Sequence, residues 1–158
     1  MLASRLGVDF FDKDDYLEAL FGSQAATEEN RQMLSRQSDA DFIADARASR
    51  AAVLVSHWRP PGLDTLSGTP LDWIETSATC VIQVCCMCPP ETAAQRFIAR
   101  HRHPGHADNL RSPDRVLQWM KDYATHLPLD MGKLINVDTR RNSKADETVK
   151  QIQGMLSR

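Results

Sequence analysis

The stretch Ala51-Ala52-Val53-Leu54-Val55 is an unbroken apolar run, which continues into Ser56-His57-Trp58-Arg59 and stops at Pro60-Pro61. Polar residues do not alternate with apolar ones in this run, so a strand built from it would bury both of its faces. Strands of a parallel sheet have this property, because helices cover the sheet on each side. The run therefore predicts a strand of a parallel sheet, which proline then ends because it lacks a backbone N–H.

Three other stretches also predict strands: Val8–Phe11, Cys80–Cys86 and Lys133–Val137. The segments around these strands carry either apolar residues at helical spacing or residues typical of helix starts, and they predict helices. These helices are Met1–Leu6, Asp15–Phe21 with Gly22 as its stop, Asn30–Ser49, Leu71–Ser77, Pro89–His101, Asp114–His126 and a last helix capped by Ser143. Strands that alternate with helices predict an α/β protein with a parallel sheet between two helix layers, a three-layer sandwich.

The composition is that of one soluble domain spanning residues 1–158. Of the 158 residues, 42% are hydrophobic, and a chain of this size buries roughly 68–70% of its unfolded surface. No apolar run approaches the ~20 residues of a membrane span, and the first residues lack the apolar stretch of a signal peptide. We therefore expect a cytoplasmic protein with no membrane partner.

Charge is unevenly distributed along the chain, although the net charge is only −2. Residues 1–45 hold ten acidic and four basic side chains, whereas residues 96–115 hold five arginines and three histidines. Weak overall charge argues against general nucleic-acid binding, which requires strong basicity. The basic segment indicates either a local anion site or a solvated helix face.

Polar side chains follow three of the four predicted strands. They are Asp12 and Asp14, Arg59, and Asp138 with Arg140. In parallel sheets, ligands bind beyond the carboxyl ends of the strands. The sequence therefore predicts a binding site at this edge.

Asp12 and Asp14 lie two residues apart, just after a predicted strand. One carboxylate could hold a hydrated Mg²⁺, and the other could accept a proton from a substrate hydroxyl, as phosphoryl transfer requires. The alternative is that Asp14 or Asp15 only caps the following helix, and we expect Asp15 and Glu18 to form a capping box.

Arg96, Arg100 and His103 have the spacing of one helix face. Positive charges so placed repel each other unless an anion lies between them, and arginine suits phosphate oxygens. Pro104-Gly105 then breaks the helix, which gives the loop that a closing lid would need.

The four cysteines lie within residues 80–88, and Cys85, Cys88, His101 and His106 have zinc-finger spacing. A zinc-binding nucleic-acid module is therefore a third hypothesis. Strand residues three apart point to opposite faces, which disfavours a Cys85–Cys88 knuckle. We expect the cysteines to be reduced, buried strand residues.

Several of these stretches together resemble small P-loop kinases. Leu2-Ala3, Leu6-Gly7 and Phe10-Phe11-Asp12 with Asp14 resemble the segment after the phosphate loop of shikimate kinase, gluconate kinase, chloramphenicol phosphotransferase and zeta-toxin-like, AAA-type ATP-binding proteins. Gln95-Arg96-Phe97 with Arg100, and the turn His103–His106, resemble the lid of the last group, over about residues 96–115. Val137-Asp138-Thr139 resembles the segment that borders adenine.

The resemblance implies ATP and Mg²⁺ as cofactors and a small-molecule hydroxyl as phosphoryl acceptor. Asp12 would orient Mg²⁺, Asp14 would be the base, and Arg59 and Asp14 would bind substrate. Nucleotide binding would fall to four arginines, of which the first two would also be catalytic: Arg96, Arg100, Arg102 and Arg140.

The sequence departs from this family at one important place. It contains no Gly-x-x-x-x-Gly-Lys-Ser/Thr loop, and Gly62 and Gly68 do not replace it because no lysine follows them. The first strand and phosphate loop, roughly 15 residues, would precede Met1. We therefore expect a truncated kinase homologue that is weak or inactive as written, or else a non-catalytic nucleotide-, anion- or partner-binding module.

Overall fold

The computed structural model describes residues 1–61, 68–140 and 145–157. The chain divides into two compact units, Met1–Ser77 and Ala78–Arg158. Within the described ranges, no helix is both long enough and apolar enough to span a membrane. The expected cap at Ser143 and the glycine at residue 62 lie outside the described residues.

The first unit contains a parallel pair of strands with helices before, between and after them. Its elements are α1 (Leu2–Leu6), β1 (Asp9–Asp12), α2 (Lys13–Ser23), α3 (Arg31–Ala48), β2 (Ala52–Val55) and α4 (Ile74–Ser77). The strand register runs from Asp9 opposite Ala52 to Asp12 opposite Val55. Leu17, Phe21 and Leu34 form a buried cluster between α2 and α3. This packing holds α3 against the helix that follows β1.

Helix α2 begins two residues earlier than the sequence predicts. The Asp12 carboxylate accepts a hydrogen bond from the backbone N–H of Asp14, so Asp12 is the N-cap. The predicted capping box at Asp15 was wrong, because an aspartate already satisfies the first free N–H groups of the helix. Gly22 was also expected to end α2, but the helix continues to Ser23.

The second unit repeats the parallel arrangement. Its elements are β3 (Ile82–Met87), α5 (Pro90–Ala99), short 3₁₀ turns at Pro104–His106 and Asp108–Leu110, α6 (Pro113–Ala124), β4 (Lys133–Asp138) and α7 (Ala145–Leu156). Strands β3 and β4 pair in parallel from Ile82 opposite Lys133 to Met87 opposite Asp138. Ala94, Phe97 and Val116 form the buried contact between α5 and α6.

Helix α5 ends at Ala99, so the prediction that Arg96, Arg100 and His103 share one helix face was wrong. Arg100 has an extended backbone (φ −76°, ψ 146°). Pro104 keeps the preceding residue, His103, out of a helix, and α5 ends before this limit, at Ala99.

The described strands form two two-stranded sheets, β1–β2 and β3–β4. Parallel pairing is confirmed, but the expectation that β2 and β3 are buried on both faces was wrong. Val55 is 42% exposed and Met87 is 38% exposed. Both residues are the last of their strands, so they stand where the chain leaves the sheet.

The cysteines are also less buried than the sequence predicts. All four are free, as expected, but only Cys85 is buried, whereas Cys80 and Cys86 are exposed. Cys80 precedes the first residue of β3, so the sheet does not cover it. Burial raises the pKa of the Cys85 thiol.

Gly132 determines how the chain enters β4. It has a left-handed backbone (φ +58°), and an added methyl group would collide with the carbonyl oxygen of Val81. That carbonyl accepts the backbone N–H of Lys133 at 2.9 Å, so it cannot move without loss of the first hydrogen bond of β4.

We predict that Gly132→Ala lowers the free energy of unfolding by about 2 kcal/mol or more, because the clash adds to left-handed strain. Gly154→Ala is the matched control, since Gly154 lies in α7 with open space around it. That control should stabilise the protein by about 0.5–1 kcal/mol. Thermal unfolding followed by circular dichroism measures both, and equal midpoints for the two variants would contradict the prediction.

Candidate functional site

Asp12 and Asp14 flank the junction between β1 and α2. The backbone N–H of Asp14 donates to Asp12 Oδ1 at 3.0 Å, and both side chains are partly buried. The cap fixes the Asp12 carboxylate at the point where β1 ends and α2 begins.

Lys13, between these two aspartates, points away from solvent. Its Nζ donates to Ser35 Oγ at 3.1 Å and lies 3.7 Å from Asp39 Oδ1. The Lys13 and Asp39 side chains are only 12% and 13% exposed. Water and salt screen a partly buried ion pair less than a surface pair. Removal of either charge would therefore leave the other one buried without a counter-charge.

A chain of hydroxyl groups continues from Asp39. Thr69 is 1% exposed and its hydroxyl donates to Asp39 Oδ1 at 2.7 Å. Ser56 Oγ lies 2.6 Å from Thr69 Oγ1. A hydroxyl has one proton, and Thr69 gives its proton to Asp39, so Ser56 is the donor to Thr69. The chain connects the segment after β2 to α3 and, through Lys13, to the start of α2.

The hydroxyl chain also holds the segment that carries Arg59. The Arg59 backbone N–H donates to Thr69 O at 2.9 Å, and Thr69 N–H donates to His57 O at 2.8 Å. The Arg59 guanidinium donates to Gly68 O at 2.9 Å. Gly68 has φ +89°, and a Cβ there would lie 2.9 Å from His57 O. Arg59 is therefore bound to a tight, glycine-dependent segment after β2.

In the second unit, Arg96 contacts the segment that follows β4. Its guanidinium donates to Thr139 O at 2.7 Å. Thr139 in turn donates from its backbone N–H and its hydroxyl to Met87 O, at 2.8 and 3.0 Å. The last turn of α5 is thereby connected to the carboxyl ends of β3 and β4.

The other predicted arginines also contact acidic side chains. Arg100 and Arg102 each lie about one hydrogen-bond length from Asp108, at 3.1 and 3.2 Å. Arg140 Nε donates to Asp138 at 2.9 Å, and this hydrogen bond raises the pKa of the exposed Arg140 guanidinium. All four arginines are charged and each already contacts another group of the protein.

The structure thus groups the predicted residues by unit. Asp12, Asp14 and Arg59 follow the neighbouring parallel strands β1 and β2, as expected. Arg96 and Arg140 meet the segment after β4. Arg100 and Arg102 follow α5. The catalytic, binding and metal roles given to these residues remain predictions.

Sequence reasoning missed the group Lys13, Ser35, Asp39, Ser56 and Thr69. No spacing signal marks it, because its members come from four separate segments. The lysine between two aspartates in Asp12-Lys13-Asp14 is the one local hint.

A magnesium ion fits these residues only with help from phosphate. Among the described residues, no cluster of three or more histidine, cysteine or carboxylate side chains could hold a metal. Mg²⁺ commonly takes one or two carboxylates and completes its shell with water and substrate phosphate oxygens. Asp12 could supply such a carboxylate.

No protein-family model matches the sequence, and no curated protein matches it. Among solved structures, the chain is similar to one from Chloroflexus aurantiacus described as a "putative kinase", with a TM-score of 0.73 and 18% identity. The match covers 97% of this chain and 86% of that chain. The two proteins share a fold. At this identity the likeness extends to the mixed α/β architecture with parallel strands, and no further.

We predict that Asp39→Ala lowers the free energy of unfolding by about 2–4 kcal/mol, because it leaves Lys13 without its counter-charge and Thr69 without its acceptor. Asp39→Asn keeps an acceptor oxygen and should cost less. Asp41→Ala on the same helix removes an exposed carboxylate that accepts only from nearby Gln37 among its described contacts, and should change stability by about 0.5 kcal/mol or less. Urea unfolding measures the series, and an Asp39→Ala loss no larger than the Asp41→Ala loss would contradict it.

Proposed function

We propose that the protein is an ATP-dependent phosphotransferase of the P-loop kinase class that acts on a hydroxyl group of a small molecule. The observation that carries the proposal is the shared fold, over 97% of the chain, with a protein described as a "putative kinase". The sequence independently carries the Asp12-x-Asp14 pair and the basic lid-like segment of such kinases. In this proposal β1–β4 belong to one three-layer sandwich.

The first unit supplies the acceptor side of the proposed reaction. Asp14 accepts the proton of the attacking hydroxyl, and the Asp12 carboxylate holds Mg²⁺. Arg59 binds the acceptor. The capped α2 start supports this assignment because it fixes the backbone of both aspartates, and fixed geometry is what a general base requires.

The second unit supplies the nucleotide side. Arg96 and Arg100 stabilise the charge on the transferring phosphoryl group, Arg102 assists them, and Arg140 lies against the adenine. Bound ATP-Mg²⁺ contributes the phosphoryl group and charge neutralisation. Arginine stabilises this charge well because its fork matches phosphate oxygens.

We also propose that full activity needs a strand and phosphate loop beyond these 158 residues. The sequence has no Gly-x-x-x-x-Gly-Lys-Ser/Thr stretch, so it lacks the backbone N–H nest and the lysine that hold the phosphates. Within the described residues, β2 and β3 each pair with one strand only. An added parallel strand would supply hydrogen-bond partners for such an edge.

A second candidate function is a non-catalytic nucleotide-, anion- or partner-binding module. One observation favours it: each of the four assigned arginines already contacts another group of the protein, Thr139, Asp108 or Asp138. In a module of this kind these contacts would hold the fold rather than await a phosphate. The two candidates differ in whether phosphate is transferred.

We predict that this chain binds ATP-Mg²⁺ more weakly than ~100 μM in calorimetry. A version extended by the in-frame upstream codons should bind at least about ten times more tightly if those codons encode the strand and loop. That version is then screened for transfer of phosphate to a metabolite pool, with the mass gain of one phosphate as readout. Nucleotide binding without transfer to any acceptor would favour the non-catalytic module. A stop codon directly upstream would contradict the extension.

We further predict that Asp14→Asn in the active version lowers kcat by about 100-fold or more and leaves ATP affinity unchanged, because it removes the base. Asp15→Asn is the matched control, since it removes the same charge from the adjacent, exposed position. Equal rates for the two variants would contradict the role of Asp14.

A further inference from the structure

Two arginines in the second unit converge on one carboxylate oxygen. Arg100 Nη2 lies 3.1 Å from Asp108 Oδ2, and Arg102 Nη1 lies 3.2 Å from the same atom. Two guanidinium groups around a single oxygen form the arrangement that binds a phosphate oxygen. Here an oxygen of the protein itself occupies that position.

The backbone brings the carboxylate back toward the arginines through two short turns. In the first turn, His103 Nδ1 accepts the backbone N–H of Gly105 at 3.1 Å. Ala107 joins the turns in a left-handed conformation (φ +54°), which is uncommon for a residue other than glycine and carries strain. The second turn begins at Asp108. The path of the chain therefore places Asp108 between Arg100 and Arg102.

Aromatic rings hold Arg100 and the neighbouring Arg111 independently of Asp108. The Arg100 guanidinium carbon lies 4.0 Å from the centre of the Phe97 ring, and Arg111 lies 5.4 Å from that of Trp119. The two rings pack edge to face at 5.5 Å. Cation–π contacts of this kind restrain a guanidinium in the absence of a counter-ion. Arg100 would thus stay in place without the carboxylate.

We propose that Asp108 is an internal anion that competes with a polyphosphate for Arg100 and Arg102. The inference rests on the nucleotide-binding role assigned to these two arginines above. A polyphosphate must displace the carboxylate before both arginines can bind it. Asp108 therefore lowers the affinity of the segment for phosphate, and its removal should raise that affinity.

The test is titration of inorganic tripolyphosphate into the chain at fixed ionic strength, followed by calorimetry. Asp108→Asn should bind about three- to tenfold more tightly than the unaltered chain, the change expected for two surface ion pairs of ordinary strength. Asp114→Asn is the matched control, because Asp114 is an exposed aspartate of the nearby α6 start. Its affinity should stay within about twofold of the unaltered chain, since screening weakens exposed charges that lack direct contact with the ligand.

Two further variants sharpen the test. Asp108→Ser removes the same charge and should show the same gain. Combining Asp108→Asn with Arg102→Gln should abolish most of the gain, because one of the two released arginines is then absent. A gain that persists in the double variant would overturn the proposal, as would equal gains for Asp108→Asn and Asp114→Asn.

Weaker binding by Asp108→Asn would also overturn it, because Asp108 would then position the arginines rather than compete for them. Loss of the folded circular dichroism spectrum in both Asp108→Asn and Asp108→Ser would also overturn the proposal, because Asp108 would then be needed for the structure of the segment. The titration uses a probe without adenosine and does not measure phosphoryl transfer, so it can succeed when the proposed function fails. If Asp108→Asn gains affinity for tripolyphosphate while the extended chain transfers no phosphate, the role of Asp108 is supported and the proposed function is disproved.

Discussion

The hydrogen bond from the Asp14 N–H to the Asp12 carboxylate fixes where β1 ends and α2 begins. A start at Asp15 instead would leave Lys13 outside the helix. With the cap at Asp12, Lys13 becomes the first helical residue and its side chain reaches Ser35 and Asp39 on α3. From Asp39 the polar chain continues to Thr69 and Ser56. One cap thus fixes the backbone of Asp14 and brings Lys13 to the polar chain that holds the segment with Arg59.

In the second unit, side-chain hydrogen bonds again satisfy backbone groups at the ends of the strands. Polar groups beyond a strand have lost their sheet partners and must find others or face water. Thr139 donates twice to the carbonyl of Met87, and Arg96 donates to the carbonyl of Thr139. Both units therefore satisfy backbone groups past their strands with side chains from neighbouring helices and loops. These side chains are polar and partly exposed, which makes the same places suited to binding ligands.

The sequence predicts the strands well, because each is a short apolar run that can be recognised without knowledge of the strand that pairs with it. It predicts their parallel pairing from the alternation of strands with helices. Burial was overestimated because an apolar run shows what a strand could bury and not what covers it, as Val55 and Met87 demonstrate. Pro104 indicates that α5 ends before it, but a proline outside the helix restricts itself and the preceding residue, so the sequence could not distinguish an end at Ala99 from one at His101.

The polar chain of the first unit was beyond sequence reasoning for a different reason. Lys13 and Asp39 meet because α2 and α3 pack through Leu17, Phe21 and Leu34, and that packing has no signature at residues 13 or 39. Asp39 lies in a helix with several other polar residues, so nothing in its surroundings separates it from Asp41. Contacts between distant segments follow from the fold, and only the local half of the site could be found from the residues alone.

The contacts of the arginines favour a binding module over a kinase only if they are too strong for a nucleotide to replace them. Surface ion pairs such as Arg140 with Asp138 contribute little to stability, because water and salt screen them. A phosphate carries more charge than a carboxylate and offers more acceptor oxygens, so exchange of one partner for the other is inexpensive. The contacts of Arg100, Arg102 and Arg140 therefore do not exclude nucleotide binding. The phosphate loop of the proposed kinase is different, because the sequence has no Gly-x-x-x-x-Gly-Lys-Ser/Thr stretch and a change of side-chain partners cannot supply its nest of backbone N–H groups. For the proposed phosphoryl transfer, that loop therefore matters more than the present partners of the arginines do.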